Sequence, residues 1–445
     1  MPHIRRFFYC LTFPTLVFIF SCNIKKEHSD IMPSVYVQKL EKGYQLYRNG
    51  TPFKIMGAGA NTYFEELKNA GANTIRLYDT TSLDQKLDKA HQLNLAVVLD
   101  IPVPRFTKKD TFYSNPKKVE QLIDGVGSFV KKYKDHPALL YWMLGNEVQY
   151  PNLWTGNDFS DCFNQLIDLL HQVDENHPVS TAIAGFRKKQ ILSIEHNSPK
   201  LDFISINVFG QLSSFSKFRK KASFFWKGPY VLSEWGINGP WEAKNTLWGA
   251  PIEQTSTKKA QQFRERYEAH IATLDDGRSL GHLAFFWGQK QERTHTWFSL
   301  FSEEGKKTQT LEELQSIWKS APPNYKGPEI EYMLLEEKGA ADNIILTSDQ
   351  QAKATVFHKK TEHGLVQIHW EIRSENWNYN TWDVEKRMIP VPYTIKEQHG
   401  TDLVFTVPKE EGPYRLFVYL EDTMGNIATT NTPFYILNPS DESSL

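Results

Sequence analysis

Two glutamates each close an apolar run. Leu144-Gly145-Asn146-Glu147 ends the stretch LLYWMLG, and Ser233-Glu234-Trp235-Gly236 ends YVLSEWG. A carboxylate at the edge of a buried run is costly unless it is paired or used. Two carboxyl groups held roughly 5–5.5 Å apart can split a displacement at a sugar's anomeric carbon into two steps. One protonates the leaving oxygen while the other attacks, and the first then deprotonates the incoming water or acceptor. Aromatic residues follow both motifs: Tyr150 and Trp154 after the first, Trp241 and Trp248 after the second, and Trp297 further on. Flat rings with polar edges pack well on the C–H face of a sugar. The chain is rich in them, with 13% aromatic residues and 12 Trp.

Glutamates so far apart in the chain need a scaffold to bring them together. Eight apolar runs read as buried parallel strands: 53–59, 72–78, 95–101, 139–145, 179–185, 202–209, 230–236 and 282–288. Between them lie stretches with apolar residues at spacings of three and four, such as SLDQKLDKAHQLN, KKVEQLIDGVGSFVKKYK and FNQLIDLLHQVDENH, and TLEELQSIWKS follows the last run. Eight strand–helix units predict an α/β fold of the (β/α)₈ TIM-barrel type, whose chemistry sits at the C-terminal strand ends. Strands four and seven would then face their glutamates across the barrel mouth. An open doubly wound sheet would want a glycine-rich phosphate loop after its first strand, and GAGAN lacks that spacing. Asn49-Gly50 between apolar runs predicts a leading hairpin.

After Ala321-Pro322-Pro323-Asn324 the composition changes to short β-branched and aromatic runs separated by Gly, Pro, Asn and Asp. That pattern predicts an antiparallel β-sandwich of immunoglobulin type over 325–438, behind a barrel domain at 35–321. Residues 1–22 carry Arg5 and Arg6, an apolar run from Phe7 to Phe20, and Ser21-Cys22. The run is too short to span a bilayer as a helix and reads as a secretory signal. Residues 23–34 read as a tether.

With 51 Lys+Arg against 52 Asp+Glu, a nucleic-acid-binding surface is a poor expectation. The chain has three Cys; Cys10 and Cys22 fall in the leading segment, so Cys162 stands alone, in an amphipathic stretch where a buried structural thiol is expected. No metal or other cofactor is implied: His171 and His177 are not at ligand spacing. Asp79 and Asp100 also end strands and read as loop caps. Trp370, Trp377 and Trp382 fall in the sandwich, where core or domain contact is the simpler reading than a glycan patch.

Asn146-Glu147 after strand four and Ser233-Glu234-Trp235-Gly236 after strand seven resemble clan A of the glycoside hydrolases. The resemblance spans roughly residues 50–320. It implies Glu147 as acid/base and Glu234 as nucleophile, Arg76 beside the nucleophile, and Trp287 as a sugar platform. Asn207, Trp235, Tyr150 and Trp154 join Arg76, Asn146 and Trp287 as expected substrate contacts. Arg76 should keep Glu234 ionised, Asn146 should bond the sugar's 2-hydroxyl, and the Glu147 carboxyl should be raised. One departure stands out: where the clan often offers a Tyr after strand six, this chain has Phe209, which cannot donate a hydrogen bond. The leading segment resembles a bacterial lipoprotein signal, with Cys22 lipidated. The stretch from Gly71 to Val103 resembles β-1,3-glucan-active enzymes, including fungal glucanosyltransferases and bacterial lipoprotein endo-β-1,3-glucanases. The resemblance therefore implies a membrane-anchored monomeric retaining β-glucanase at a bacterial outer membrane or cell surface, with a β-glucan as its partner. A transglycosylase and a glycan-binding lipoprotein on an inactive barrel are the alternatives.

Overall fold

The computed structural model describes residues 33–106, 111–151, 158–215, 226–274, 276–359, 361, 364–375 and 385–438. Cys22, Trp154, Trp377 and Trp382, and the segments taken as signal and tether up to residue 32, lie outside these residues.

A three-stranded antiparallel sheet comes first: β1 (Val35–Leu40), β2 (Gly43–Arg48) and β3 (Thr51–Phe53). Its turns fall at Glu41-Lys42 and Asn49-Gly50, and both residues of the second turn have positive φ. Asn and Gly tolerate that region best, which is why this dipeptide closes the hairpin. Eight parallel strands follow: β4 (Ile55–Ala60), β5 (Thr74–Leu77), β6 (Ala96–Ile101), β7 (Leu139–Leu144), β8 (Val179–Ala184), β9 (Phe203–Val208), β10 (Tyr230–Trp235) and β11 (Ser279–Trp287). They close into one barrel, β10 pairing with β11 and β11 with β4. The predicted barrel is therefore present. Strands β5, β6, β7, β9 and β10 are buried at every position, because helices cover one face and neighbouring strands' side chains the other.

The helices are α1 (Phe64–Asn69), α2 (Leu83–Gln92), α3 (Pro116–Tyr133), α4 (Asp158–Val173), α5 (Lys188–Asn197), α6 (Ser256–Arg266) and α7 (Gln309–Lys319). Asn115 starts α3 by accepting from the Lys118 N–H at 3.2 Å, with Pro116 in the first turn. Cys162 is buried on α4, and burial pushes its thiol up to about 11, as suits an inert structural residue. The apolar cluster of Val35, Leu46, Ile55, Val98, Tyr141, Phe203 and Leu283 joins the leading sheet to the barrel's interior. Hydrophobic packing thus plugs the end where the strands begin and leaves polar residues to the other.

The C-terminal region holds two further sheets, in the orders β12-β14-β18-β17 and β13-β20-β19-β15-β16. Their strands are β12 (Ile330–Leu335), β13 (Ile345–Leu346), β14 (Gln351–His358), β15 (Leu365–Ser374), β16 (Ile389–Pro390), β17 (Thr394–His399), β18 (Asp402–Thr406), β19 (Gly412–Asp422) and β20 (Ile427–Ile436). All pairings are antiparallel except β13 with β20. Trp370 is buried with Leu403, Phe405, Leu416 and Phe434 in the shared core, so it packs the sandwich as expected.

Barrel and sandwich meet through buried polar groups. Glu253 accepts from Lys259, Thr294, Thr296 and Asn431. Arg415 on β19 donates to Glu375, to Asn431 at 2.7 Å and to the Pro251 carbonyl at 2.9 Å. Burial alone would raise the Glu253 carboxyl, but Lys259 and Arg415 outweigh it and hold it low.

Candidate active site

Five strand ends deliver one polar cluster. Arg76 on β5 is fully buried and sits at its centre. Its Nε and Nη2 donate to the two oxygens of Asp100 on β6, at 2.9 and 2.7 Å. Its Nη1 donates to Glu234 Oε1 on β10 at 3.0 Å, and its Nη2 to Asn146 Oδ1 after β7 at 2.8 Å. Asn207 on β9 bridges the rest: its Oδ1 accepts from Arg76 at 3.2 Å and from Ser233 Oγ at 2.8 Å. Its Nδ2 donates to Asn146 Oδ1 at 3.0 Å and to Glu147 Oε1 at 3.1 Å. Glu147 and Glu234 therefore stand on either side of one Arg76–Asn207 bridge. The strand end is bent to reach it: Gly145 and Glu147 both have positive φ, and a non-glycine there is strained.

Burial governs the charges. Glu234 is 5% exposed, and its carboxyl is pushed up to about 8. Desolvation is the main cause, and the charges of Glu147 and Asp100 add to it against Arg76. The expectation that Arg76 holds Glu234 ionised is not met: Arg76 orients Glu234, but it also pairs with both oxygens of Asp100, and burial outweighs its charge. Asp100 is also raised by burial, against Arg76. Its role as an Arg76 partner replaces the loop-cap reading; Asp79 does cap a loop, accepting from the Thr81 N–H at 2.9 Å.

Tyr78 also belongs to the site, and sequence reasoning missed it. Arg76 lies over its ring, 4.4 Å from the centroid. The Tyr78 hydroxyl is buried and forms no hydrogen bond of normal geometry. Burial first, then the nearby Glu234 charge, push its phenol well above the ordinary range. The available signal was strand periodicity: residues 76 and 78 share a face, so a second polar group beside Arg76 was readable in Arg-Leu-Tyr. Glu292, in the loop after β11, was missed too. It is buried and raised to about 7, chiefly by desolvation, with the charges of Glu385 and Glu147 adding.

Beside Glu147 opens a cleft of about 590 Å³, whose walls include Asn207, Phe209, Trp241, Glu242 and Pro251. Trp241 is 61% exposed and edge-on to Phe209. It is the cleft's open aromatic face. Several expected contacts lie elsewhere. Tyr150 is buried against Phe159 and Phe163, with its hydroxyl on Ser198. Trp235 is fully buried between Phe263 and Tyr267 and donates to His282 Nδ1 at 3.1 Å. Trp287 is fully buried against Phe301 and Trp318 and donates to the Tyr63 carbonyl at 3.0 Å. These three are packing residues, because strand and loop ends that must be anchored in the core turn their largest rings inward. Trp297 is likewise buried, and Trp248 packs toward Tyr435 of the sandwich.

Residues 81–238 match the family description "Glycosyl hydrolases family 2, TIM barrel domain". Over that stretch, about a third of the chain, the barrel is similar to clan A glycoside hydrolases. The chain is 31% identical over 114 residues to "Putative mannan endo-1,4-beta-mannosidase 4" of Arabidopsis thaliana, covering 22% of this chain and 28% of that protein. It is 24% identical over 233 residues to "Putative beta-glucuronidase" of Formosa agariphila, covering 48% of this chain and 26% of that one. Among solved structures, the Dictyoglomus thermophilum β-D-glucuronidase superposes with a TM-score of 0.51 at 17% identity, covering 65% of this chain and 54% of that one. The match thus spans about a quarter of these curated relatives and about half of that structure, and the structural likeness is one of fold.

Proposed function

We propose that this protein is a retaining β-glycoside hydrolase that cleaves a polysaccharide by double displacement. One observation carries the reading: Glu147 and Glu234 converge on a single polar cluster, bridged by Asn207 and Arg76, with an aromatic-walled cleft beside Glu147. Glu147 donates a proton to the leaving oxygen as Glu234 attacks the anomeric carbon and forms a glycosyl ester. Glu147 then takes a proton from water, which opens the ester. Arg76 orients the attacking carboxylate, and the Asn146 amide N–H₂ is suited to the sugar's 2-hydroxyl. Trp241 offers a ring face to the chain.

The stretch 71–103 favours a β-1,3-glucan, acted on internally. The names of the relatives add β-1,4-mannan and glucuronides as substrates to test. Purified protein should release products from at least one defined β-glycan, with the first-formed sugar retaining its anomeric configuration by NMR. Glu147→Gln and Glu234→Gln should each lose about 10²–10⁴-fold or more in kcat/KM. An inverted first product would refute double displacement. Tight glycan binding without turnover would favour the binding-protein reading, and longer products than substrates would mark transglycosylation. We further propose export and lipid anchoring through Cys22 to a bacterial outer membrane or cell surface. Palmitate labelling that disappears in Cys22→Ser tests this.

A further inference from the structure

A second cavity, of about 430 Å³, lies between the loop after β11 and the sandwich, and no residue lines both it and the cleft beside Glu147. Its size falls in the range of small-molecule sites, roughly 300–1,000 Å³. One wall is a sheet face that carries Gln367, His369, Glu371 and Arg373 of β15 beside Tyr419 and Glu421 of β19. Alternate residues of paired strands share a face, so these side chains are cross-strand neighbours. The charges on that wall are matched. Arg373 Nε pairs with Glu371 Oε2 at 2.8 Å, and Lys306 from the loop pairs with Glu421. An ionic ligand finds no spare counter-charge among these residues.

Neutral groups are left over. The side chains of Gln289 and Gln367 make no hydrogen bond among the described residues. Nor does that of the exposed His369, whose ring lies against Tyr419 with centroids 5.8 Å apart. His295, on the loop side, has half of its capacity unused. The single hydroxyl proton of Tyr419 goes to Glu371 Oε2 at 3.1 Å, so the Tyr419 oxygen accepts from His295 Nε2 at 2.8 Å. His295 is 7% exposed and stays neutral, its ring pushed down to about 3 chiefly by desolvation. With the proton on Nε2, Nδ1 is a buried acceptor, and no donor among the described residues meets it. Such a group is costly unless a partner arrives.

We propose that this cavity is a second glycan-binding site, which takes a neutral sugar unit through Gln289, Gln367, His369 and His295. Sugar hydroxyls both donate and accept, as the two amides and the His295 acceptor require, and a sugar's C–H face suits the exposed His369 ring. The choice of a sugar rests on the reading that the protein acts on a glycan. A chain long enough to reach both sites would be held at two points, which raises its overall affinity.

The test is calorimetry on the full chain carrying Glu234→Gln, titrated with laminaritriose, cellotriose and β-1,4-mannotriose. At least one of the three should bind at two sites per chain. Gln367→Ala with His369→Ala, both at exposed positions, should weaken one site at least tenfold and leave thermal unfolding unchanged. Trp241→Ala should weaken the other. A single bound molecule per chain, two that survive the Gln367→Ala/His369→Ala pair, or no binding of any of the three overturns the proposal. Hydrolysis is scored separately with the Glu234 protein. Turnover with only one bound sugar would leave the hydrolase reading standing and this one refuted. Two-site binding without turnover would do the reverse.

Discussion

The unusual residue is Glu234, a carboxyl raised to about 8 by burial beside an arginine that it shares with Asp100. A group whose folded pKa lies above its unfolded value stabilises the fold fully below the unfolded pKa, near 4.5, and that stability is lost as pH rises through the folded value. Stability should therefore fall between about pH 4.5 and 8 for this group. Glu234→Gln removes the ionisation, so the variant should gain on the parent across that window by on the order of a few kcal/mol. The gain should vanish below about pH 4. Denaturant unfolding at a series of pH values checks this, and a pH-independent difference would mean that Glu234 titrates alike in the folded and unfolded chain. Tyr78 acts on the same group. Its phenol favours the Glu234 carboxylate, so Tyr78→Phe should move the acidic limb of kcat/KM to higher pH. A merely structural role would lower the rate equally at all pH values.

At the scale of elements, the site depends on how closely strands approach. A Cβ at Gly59 on β4 would lie 2.2 Å from the Tyr78 hydroxyl and under 3 Å from its ring. Gly59→Ala must displace that ring, so it should cost about 1–3 kcal/mol of stability and shift the pH profile as Tyr78→Phe does. Thermal unfolding and a kcat/KM profile measure both. The barrel strands were legible because each is a short apolar run buried on both faces, bounded by helical spacing. What hid was what lacks a periodic signal. β17 is exposed at every residue, so TIKEQH shows no alternation to read. The start of β11 was missed because Ser279-Leu280-Gly281 is only part apolar. Glu147 and Glu234 were legible as carboxylates out of place in apolar company. The direction in which Trp235, Trp287 and Tyr150 point was not, because an aromatic at a strand end can serve core or cleft with the same neighbours in sequence. The Arg76–Asp100 pair joins residues whose partnership depends on adjacent strands, a fact of register rather than of local sequence.

For the whole molecule, the sandwich is part of what shapes the cleft. Pro251 lines the cleft wall, and its carbonyl is held by Arg415 of β19. Arg293 lines it too, and its neighbour Thr294 is tied to Glu253, which Asn431 of β20 also holds. The loops after β10 and β11 thus have their outer ends fixed by the second domain and their inner ends by the barrel. Arg415 is fully buried, so Arg415→Ala removes its ion pair with Glu375 and frees the Pro251 carbonyl. Removing one member of a buried pair costs about 3–5 kcal/mol, the larger part being the charge left behind. The expected result is a lowered melting temperature together with a several-fold loss in kcat/KM, carried mainly in KM because the cleft wall rather than the carboxylate pair has moved. Replacing Arg415 and Glu375 together by Met and Gln should recover stability more than activity, since the Pro251 carbonyl still lacks its donor. Were the sandwich only a tethered module, both variants would unfold in two separate transitions and cleave substrate as the parent does.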